Sequence, residues 1–302
     1  MCPWAMSTFR AMGSRCRIVA PDRRLVAAGE GLVGELEKKW SRFIPTSEIS
    51  ALNRLAGQLT ILSQDTYELV SRAEQARQAT RGSFNPLMLE NLETLGYDAS
   101  WQLVSDSDAS ISAPPPACLE PIELYPEIRG IQLPPGTRFD PGGLGKGLAG
   151  DLVAAKLRDL GASSVQIELG GDVRVSGPEW SGGSWKVTVG DSDHGVTEAA
   201  VISIPEGGVA TSSSIRRSWR RGDQRLHHIL DPETGVPAVT DIAAATVVAP
   251  SLWWAEVIAK VTIISGSDTG RQLLQELGMT GLFVYHDTER PYETIETLEM
   301  IA

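Results

Sequence analysis

Residues 139 to 172, FDPGGLGKGLAGDLVAAKLRDLGASSVQIELGGD, crowd Gly142, Gly143, Gly145 and Gly147 into one short turn. Glycine suits a backbone that must take positive φ or come close to another group. The turn leads into a stripe of Leu148, Leu152, Val153, Leu157 and Leu160 that stops at Gly161, which predicts a helix. The glycines therefore fall at a helix N-terminus, where amide N–H groups and the helix dipole favour an anion. Lys146 adds a positive charge and Asp140 a hydrogen-bond acceptor. The chemistry this suggests is a phosphate or pyrophosphate cradle.

Other readings fit the same residues. A Walker A loop is excluded, because residue 147 is Gly rather than Ser or Thr. Gly145-x-Gly147-x-x-Gly150 matches the dinucleotide fingerprint, with Glu168 near the end of the next apolar run, as in a nicotinamide dehydrogenase. Against that, Asp140 and Pro141 open the turn, Lys146 lies inside the triplet, and no clean βαβ unit begins there. A Gly-rich connection that holds no ligand is the plain alternative.

The elements around this stretch follow from periodicity. A strand is expected over residues 7 to 20, with Ala11-Met12-Gly13-Ser14 in it or beside it. A helix over 29 to 43 carries Leu32, Val33, Leu36, Trp40 and Phe43 on one face. Ser63 is the expected cap of a helix through Leu69, Val70, Ala73 and Ala76 that ends near Gly82. Residues 185 to 189 and 199 to 204 alternate as strands, and a hairpin-like turn falls at Gly222-Asp223. AAATVVA reads as a strand, Ser251 and Ser267 as helix caps, and GLFVY as a closing strand. Strands and helices mix without strict βαβ alternation, which favours α+β over a doubly wound sheet.

At 302 residues the chain can bury a sizeable core. We expect one domain over 1 to 302, with a lobe connection in the polar, proline-rich stretch 105 to 121. A net charge of −11 argues against nucleic acid as a partner. The basic cluster Arg216, Arg217, Arg220 and Arg221 reads as a solvated face or a phosphate-steering patch. Cys2, Cys16 and Cys118 have no metal spacing and suggest a reducing compartment. The first residues lack a signal-like apolar region, and no apolar run reaches the ~18 residues of a membrane span. A cytoplasmic location is expected.

Several separated segments, AMGS, SRFIPTSEISALN, GSFNP, DPGGLGKGLAGD with IELGGD, ATSSS, HHILDPETGVP and a late helix after VVAPS, occur in one order. In that order they resemble the ApbE family, the FAD:protein FMN transferases, over about residues 9 to 285. The resemblance implies a two-lobed, T-fold-related α+β architecture with mixed sheets and FAD between the lobes. It implies a flavinylation reaction: FMN passes from FAD to a Thr or Ser hydroxyl of an acceptor flavoprotein, and AMP leaves. It implies magnesium as a cofactor. By position in its motifs it assigns Met12, Ser83, Phe84, Asn85, Asp140, Lys146 and Ile229 to the FAD site. His228, in HHILDP, becomes the candidate general base. A loop His that bonds Asp231 is its plain alternative. Asp172 is either a turn former or a site residue, and His194, His227 and His286 are expected to be structural or exposed.

The chain also departs from that family. The resemblance implies an Asp and, four residues on, a Thr as magnesium ligands on the late helix, completed by a backbone carbonyl of the Gly-rich turn. Here the two positions are Glu256 and Lys260, and the carbonyl is that of Gly143. Glu is one bond longer than Asp, magnesium tolerates misplacement poorly, and an ammonium cannot ligate a metal. Asn85 stands where the family has Asp, which removes a further negative charge. Lys260 would then supply part of the metal's charge. A solvated Glu256–Lys260 pair at i,i+4 is the plain reading. An FAD-binding protein of the same fold with lost or weakened transfer is the functional alternative.

Overall fold

The computed structural model describes residues 4–179, 181–191, 196–287 and 292–295, so Cys2 and His194 lie outside the described residues. The chain opens with strands β1 (Ala5–Ala11) and β2 (Ser14–Ala20), paired antiparallel. The single strand expected over 7 to 20 is thus a hairpin. Met12 and Gly13 take φ of 50° and 66°, the left-handed pair that a tight two-residue turn requires. Helix α1 (Arg23–Trp40) begins earlier than its apolar stripe, because Asp22 caps it by accepting the Leu25 N–H at 2.9 Å. Helix α2 (Glu48–Arg54) is capped by Ser47, which accepts the Ser50 N–H at 3.0 Å.

Strand β3 (Thr60–Ile61) precedes helix α3 (Gln64–Ala79). Ser63 stands before α3 but bonds no amide of it; its hydroxyl donates to Glu48 at 2.8 Å instead. Helix α4 (Leu89–Thr94) follows, then β4 (Glu123–Tyr125) and β5 (Gly130–Gln132), which join β3 in a small sheet of order β3-β5-β4. The proline-rich stretch between α4 and β4 is tied down at several points. Ser107 exchanges backbone bonds with Arg220 and Gly222, and Asn91 donates to the Pro115 carbonyl at 2.7 Å.

The Gly-rich turn leads into α5 (Gly145–Asp159), then β6 (Val165–Leu169) and β7 (Asp172–Ser176). Gly170 and Gly171, at φ 67° and 98°, close the β6–β7 turn. The chain continues through β8 (Trp185–Asp191), β9 (Val196–Ile204), β10 (Gly207–Ser213), β11 (Ser218–Arg221) and β12 (Gln224–His227). It ends with β13 (Ile242–Ala249), α6 (Leu252–Glu276), β14 (Thr280–Tyr285) and β15 (Tyr292–Ile295).

Eight strands form the main sheet in the order β1-β2-β6-β7-β10-β13-β14-β15, every neighbouring pair antiparallel. An antiparallel sheet has no βαβ crossover, so the dinucleotide-binding alternative fails on topology. Helices α5 and α6 pack on each other and on the sheet, and α1 packs on α5. Trp185, Val187 and Val189 of β8 form a second cluster with Val173, Val175, Val209 and Leu282 of the main sheet.

Strand β10 is not legible in the sequence, because GGVATSS lacks alternation. Its small residues have a packing reason. A Cβ on Gly208 would lie 2.4 Å from the Leu252 Cα, so only a bare backbone lets α6 settle there. The expected cap Ser251 is replaced by Asp151 of α5, whose carboxylate accepts the Leu252 and Trp253 N–H groups at 3.0 and 2.9 Å. Helix α6 breaks at Gly266, φ 74°, and Asp241 restarts it by accepting the Ser267 N–H at 3.0 Å.

Candidate active site

A cleft of ≈ 240 Å³ opens at the start of α5. Part of its lining is apolar and aromatic: Met12, Trp40, Phe43, Tyr97 and Trp101. Tyr97 and Trp101 meet edge to face, with centroids 6.1 Å apart, and both pack against buried Trp219. The same lining carries the charges of Arg42, Asp140, Lys146, Arg217 and Lys260, together with His228. A side pocket of ≈ 30 Å³ is lined by Ser83, Asn85, Asp140, His228 and Lys260. A ligand that joins a flat ring to an anionic group suits this mixed lining.

Two glycines in the first turn of α5 have their amides occupied by the chain itself. The Gly147 N–H donates to Glu256 at 2.7 Å, and the Gly145 N–H donates to the Pro141 carbonyl at 2.9 Å. Packing explains why these positions are glycine. A Cβ on Gly147 would lie 2.5 Å from the Trp253 Cα, and one on Gly150 2.8 Å from Leu252. A Cβ on Gly143 would lie 2.6 Å from the Lys260 Nζ and 2.7 Å from the Phe84 ring. The fingerprint glycines thus let α6 approach α5. The expected open cradle is corrected to a helix end partly capped by the chain's own Glu256.

Lys146, expected beside FAD, lines the cleft but is held by two acids, Asp172 and Glu256, the latter at 2.9 Å. Burial alone would lower its pKa; the Asp172 and Glu256 carboxylates outweigh burial and hold it above the ordinary lysine range. Asp172 also accepts the Thr211 N–H at 3.1 Å, so the β6–β7 turn, β10 and α5 meet on one carboxylate. It is both a turn residue and part of the site's frame. Asp140 pairs with the Arg42 Nε at 3.2 Å. Arg42 in turn stacks over Phe43 and Tyr97, 4.2 and 4.9 Å from their centroids.

His228 lines both cavities, and its buried Nδ1 has no hydrogen-bond partner. Burial, then the charges of Arg217 and Lys260, hold its pKa well below the ordinary histidine value, so the ring is neutral near pH 7. Its expected alternative partner, Asp231, instead caps its own turn by accepting the Glu233 N–H at 2.9 Å. His227 bonds the Ala238 carbonyl and His286 the Ser214 hydroxyl, which are structural contacts.

The remaining expected FAD residues are placed unevenly. Met12 is at the hairpin tip in the cleft wall, where Glu37 accepts its N–H at 2.6 Å. Ser83 reaches the side pocket. Asn85 lines it too, while its amide bonds the Cys118 carbonyl at 2.9 Å and the Leu87 N–H. Phe84 is buried beneath Gly143, and Ile229 is fully buried in the core and lines neither cavity. The Ile229 carbonyl accepts the Ala238 N–H at 3.0 Å and helps shape the loop that carries His228.

Magnesium, which the sequence resemblance implies at Gly143 and Glu256, does not fit this donor set. Both Glu256 oxygens are engaged, by Lys146 and by the Gly147 N–H. The Lys260 ammonium lies against Gly143. Among the described residues no group of three or more His, Cys, Asp or Glu is placed to hold a metal ion.

Sequence reasoning missed Arg42, Tyr97, Trp101 and the inward placement of Arg217. Arg217 donates to the Tyr97 hydroxyl at 3.3 Å at the cleft, whereas Arg220 and Arg221 pin the 105–108 stretch. The available signal was the Arg–Phe pair directly after α1 and the excess of Trp and Tyr around residues 97 to 101.

The fold and cleft define an antiparallel α+β protein with one cleft lined by aromatic rings, cations and a buried histidine. Comparison with known proteins gives the family. The ApbE family model matches residues 12–283, and the chain belongs to that family. A relative from Treponema pallidum, named FAD:protein FMN transferase, is 27% identical over 91% of this chain and 83% of its own length. One of the same name from Vibrio cholerae is 24% identical over 83% of this chain and 76% of its own. The match to the Haemophilus influenzae relative is 28% identical but spans 42% of that protein. Solved structures of an ApbE protein from Thermotoga maritima and of the Pseudomonas stutzeri flavinyl transferase ApbE superpose with TM-scores of 0.84 and 0.79. They are 23% and 22% identical and cover 97% and 98% of this chain, with 97% and 95% of their own chains covered. No helix among the described residues is long and apolar enough to cross a membrane.

Proposed function

We propose that this protein transfers FMN from FAD to a Ser or Thr hydroxyl of an acceptor flavoprotein. The observation that carries this reading is one cleft lined by both aromatic side chains and cations, with a neutral histidine in the same lining. The isoalloxazine lies along Met12, Tyr97 and Trp101, and the pyrophosphate lies among Lys260, Arg217 and Arg42. The acceptor hydroxyl oxygen bonds to the FMN phosphorus, the bond from that phosphorus to the AMP oxygen breaks, and AMP leaves. His228 Nδ1 takes the hydroxyl proton as the bond forms. The cations around the cleft offset charge on the pyrophosphate, which a neutral nucleophile must approach. Asp140 orients Arg42, while Ser83 and Asn85 border the phosphate end.

The reading includes a cytoplasmic location, supported by the free thiols of Cys16 and Cys118. A second reading, FAD binding without transfer, is favoured by one observation: Glu256 is wholly engaged by the protein. The two separate in one assay. The protein is incubated with FAD and a flavoprotein domain bearing a Thr flavinylation site, then run on a denaturing gel. In-gel flavin fluorescence on the acceptor, lost in His228→Ala, supports transfer. Retained FAD with a dark acceptor supports binding alone.

A further inference from the structure

Lys260 lies on α6, one turn beyond Glu256, and its side chain lines both the main cleft and the side pocket. Its ammonium rests against the backbone of the turn before α5, at the spot a Cβ on Gly143 would contest. The Phe84 ring lies beside it, with its centroid 5.9 Å away. Lys260 makes no hydrogen bond and no ion pair with another described residue. The surrounding acids are committed elsewhere: Asp140 to Arg42, and Glu256 to Lys146 and Gly147. Lys146 and Lys260 therefore differ in kind. The first is paired inside the fold, and the second is left unpaired toward the cleft that it lines.

We infer that Lys260 is the resident cation of the site. Its ammonium takes a pyrophosphate oxygen of FAD directly, and FAD binds without a divalent metal. This rests on the FAD reading above and deepens it. An ammonium offers three donors and binds phosphate as a point charge. Low solvent access strengthens such a contact relative to the same pair in water. The Gly143 backbone is bare where the ammonium sits, so no side chain stands between it and the cleft. Burial draws the Lys260 pKa down, the Asp140 and Glu256 carboxylates offset only part of that pull, and the Lys146 and Arg217 charges add to it. An incoming phosphate adds to the carboxylates' side of the balance.

The test is a titration of the full chain with FAD and, separately, with riboflavin, followed by flavin fluorescence quenching in excess EDTA and again in magnesium. The wild-type protein binds FAD in EDTA to within about threefold of its affinity in magnesium. Lys260→Met weakens FAD by about tenfold or more, the loss of one charge-assisted contact, and leaves riboflavin, which has no phosphate, unchanged. FAD binding only in magnesium overturns the inference, as does an equal loss of both ligands in Lys260→Met. The wild-type comparison stands even if the variant does not fold. Failure to bind FAD in either buffer removes the FAD reading and this inference with it, whereas binding in magnesium alone removes only the inference.

Discussion

Glu256, in the second turn of α6, accepts the Gly147 N–H of α5 at 2.7 Å and the Lys146 ammonium at 2.9 Å. One carboxylate thus caps a neighbouring helix and anchors its first-turn lysine. Burial and the nearby Asp172 charge push the Glu256 carboxyl above the usual range, and these two donors only partly offset that push. Glu256→Gln keeps an acceptor for Gly147 but turns an amide toward Lys146. We expect a loss of about 1–3 kcal/mol in denaturant unfolding, because Asp172 still pairs the lysine. A loss near zero would mean that Asp172 alone holds Lys146.

The glycines of α5 are packing residues. Gly147→Ala drives a Cβ into the Trp253 backbone, 2.5 Å from its Cα. Backbone cannot rotate away as a side chain does, so we expect destabilisation of about 2–3 kcal/mol or more by thermal or urea unfolding. Gly31→Ala in α1 is the control. Nothing lies within 4 Å of its Cβ, and the change should stabilise by about 0.5–1 kcal/mol. Equal effects at the two positions would contradict the packing account.

Asp151 replaces Ser251 as the cap of α6. It accepts two amides of that helix and pairs with the Arg174 Nε at 2.9 Å. Asp151→Ala is expected to cost about 2 kcal/mol, whereas Ser251→Ala should fall within about 0.5 kcal/mol of the parent. Urea midpoints of the two variants decide between the caps.

Histidine titration gives a pH signature. The folded chain holds His228 well below 6.5, with Arg217, Lys260 and His227 as the charged or titratable groups facing it. His227 is lowered as well, by burial. Above pH 6.5 both folded and unfolded rings are neutral. Below it the unfolded chain binds a proton that the folded chain does not, so stability falls as pH falls toward the folded value. In His228→Gln the loss between pH 7 and pH 5.5 should shrink by about 1 kcal/mol. An unchanged slope would place His228 in contact with solvent.

Much of this was legible because residue order carries it. The α+β class, the helix after the Gly-rich turn, the Gly222-Asp223 hairpin and the segments around His228 all follow from local pattern. The illegible parts depend on partners distant in the chain. β10 looks like a loop because Gly208 is small for the sake of Leu252, and Gly147 resembles a phosphate glycine because Trp253 needs the space. The Arg42–Phe43 pair stands out in the sequence, but its contacts with Tyr97 and Asp140 depend on residues far along the chain. Ile229 was assigned by its place in a motif, yet the fold spends its side chain on the core.

The most direct measurement is the intact mass of a Thr-bearing acceptor domain after incubation with this protein and FAD, read beside AMP in the same mixture. The account predicts that the acceptor gains the mass of FMN less water and that AMP appears in equal amount. A Thr→Ala acceptor should gain nothing. An acceptor of unchanged mass, with FAD intact and no AMP released, would contradict it.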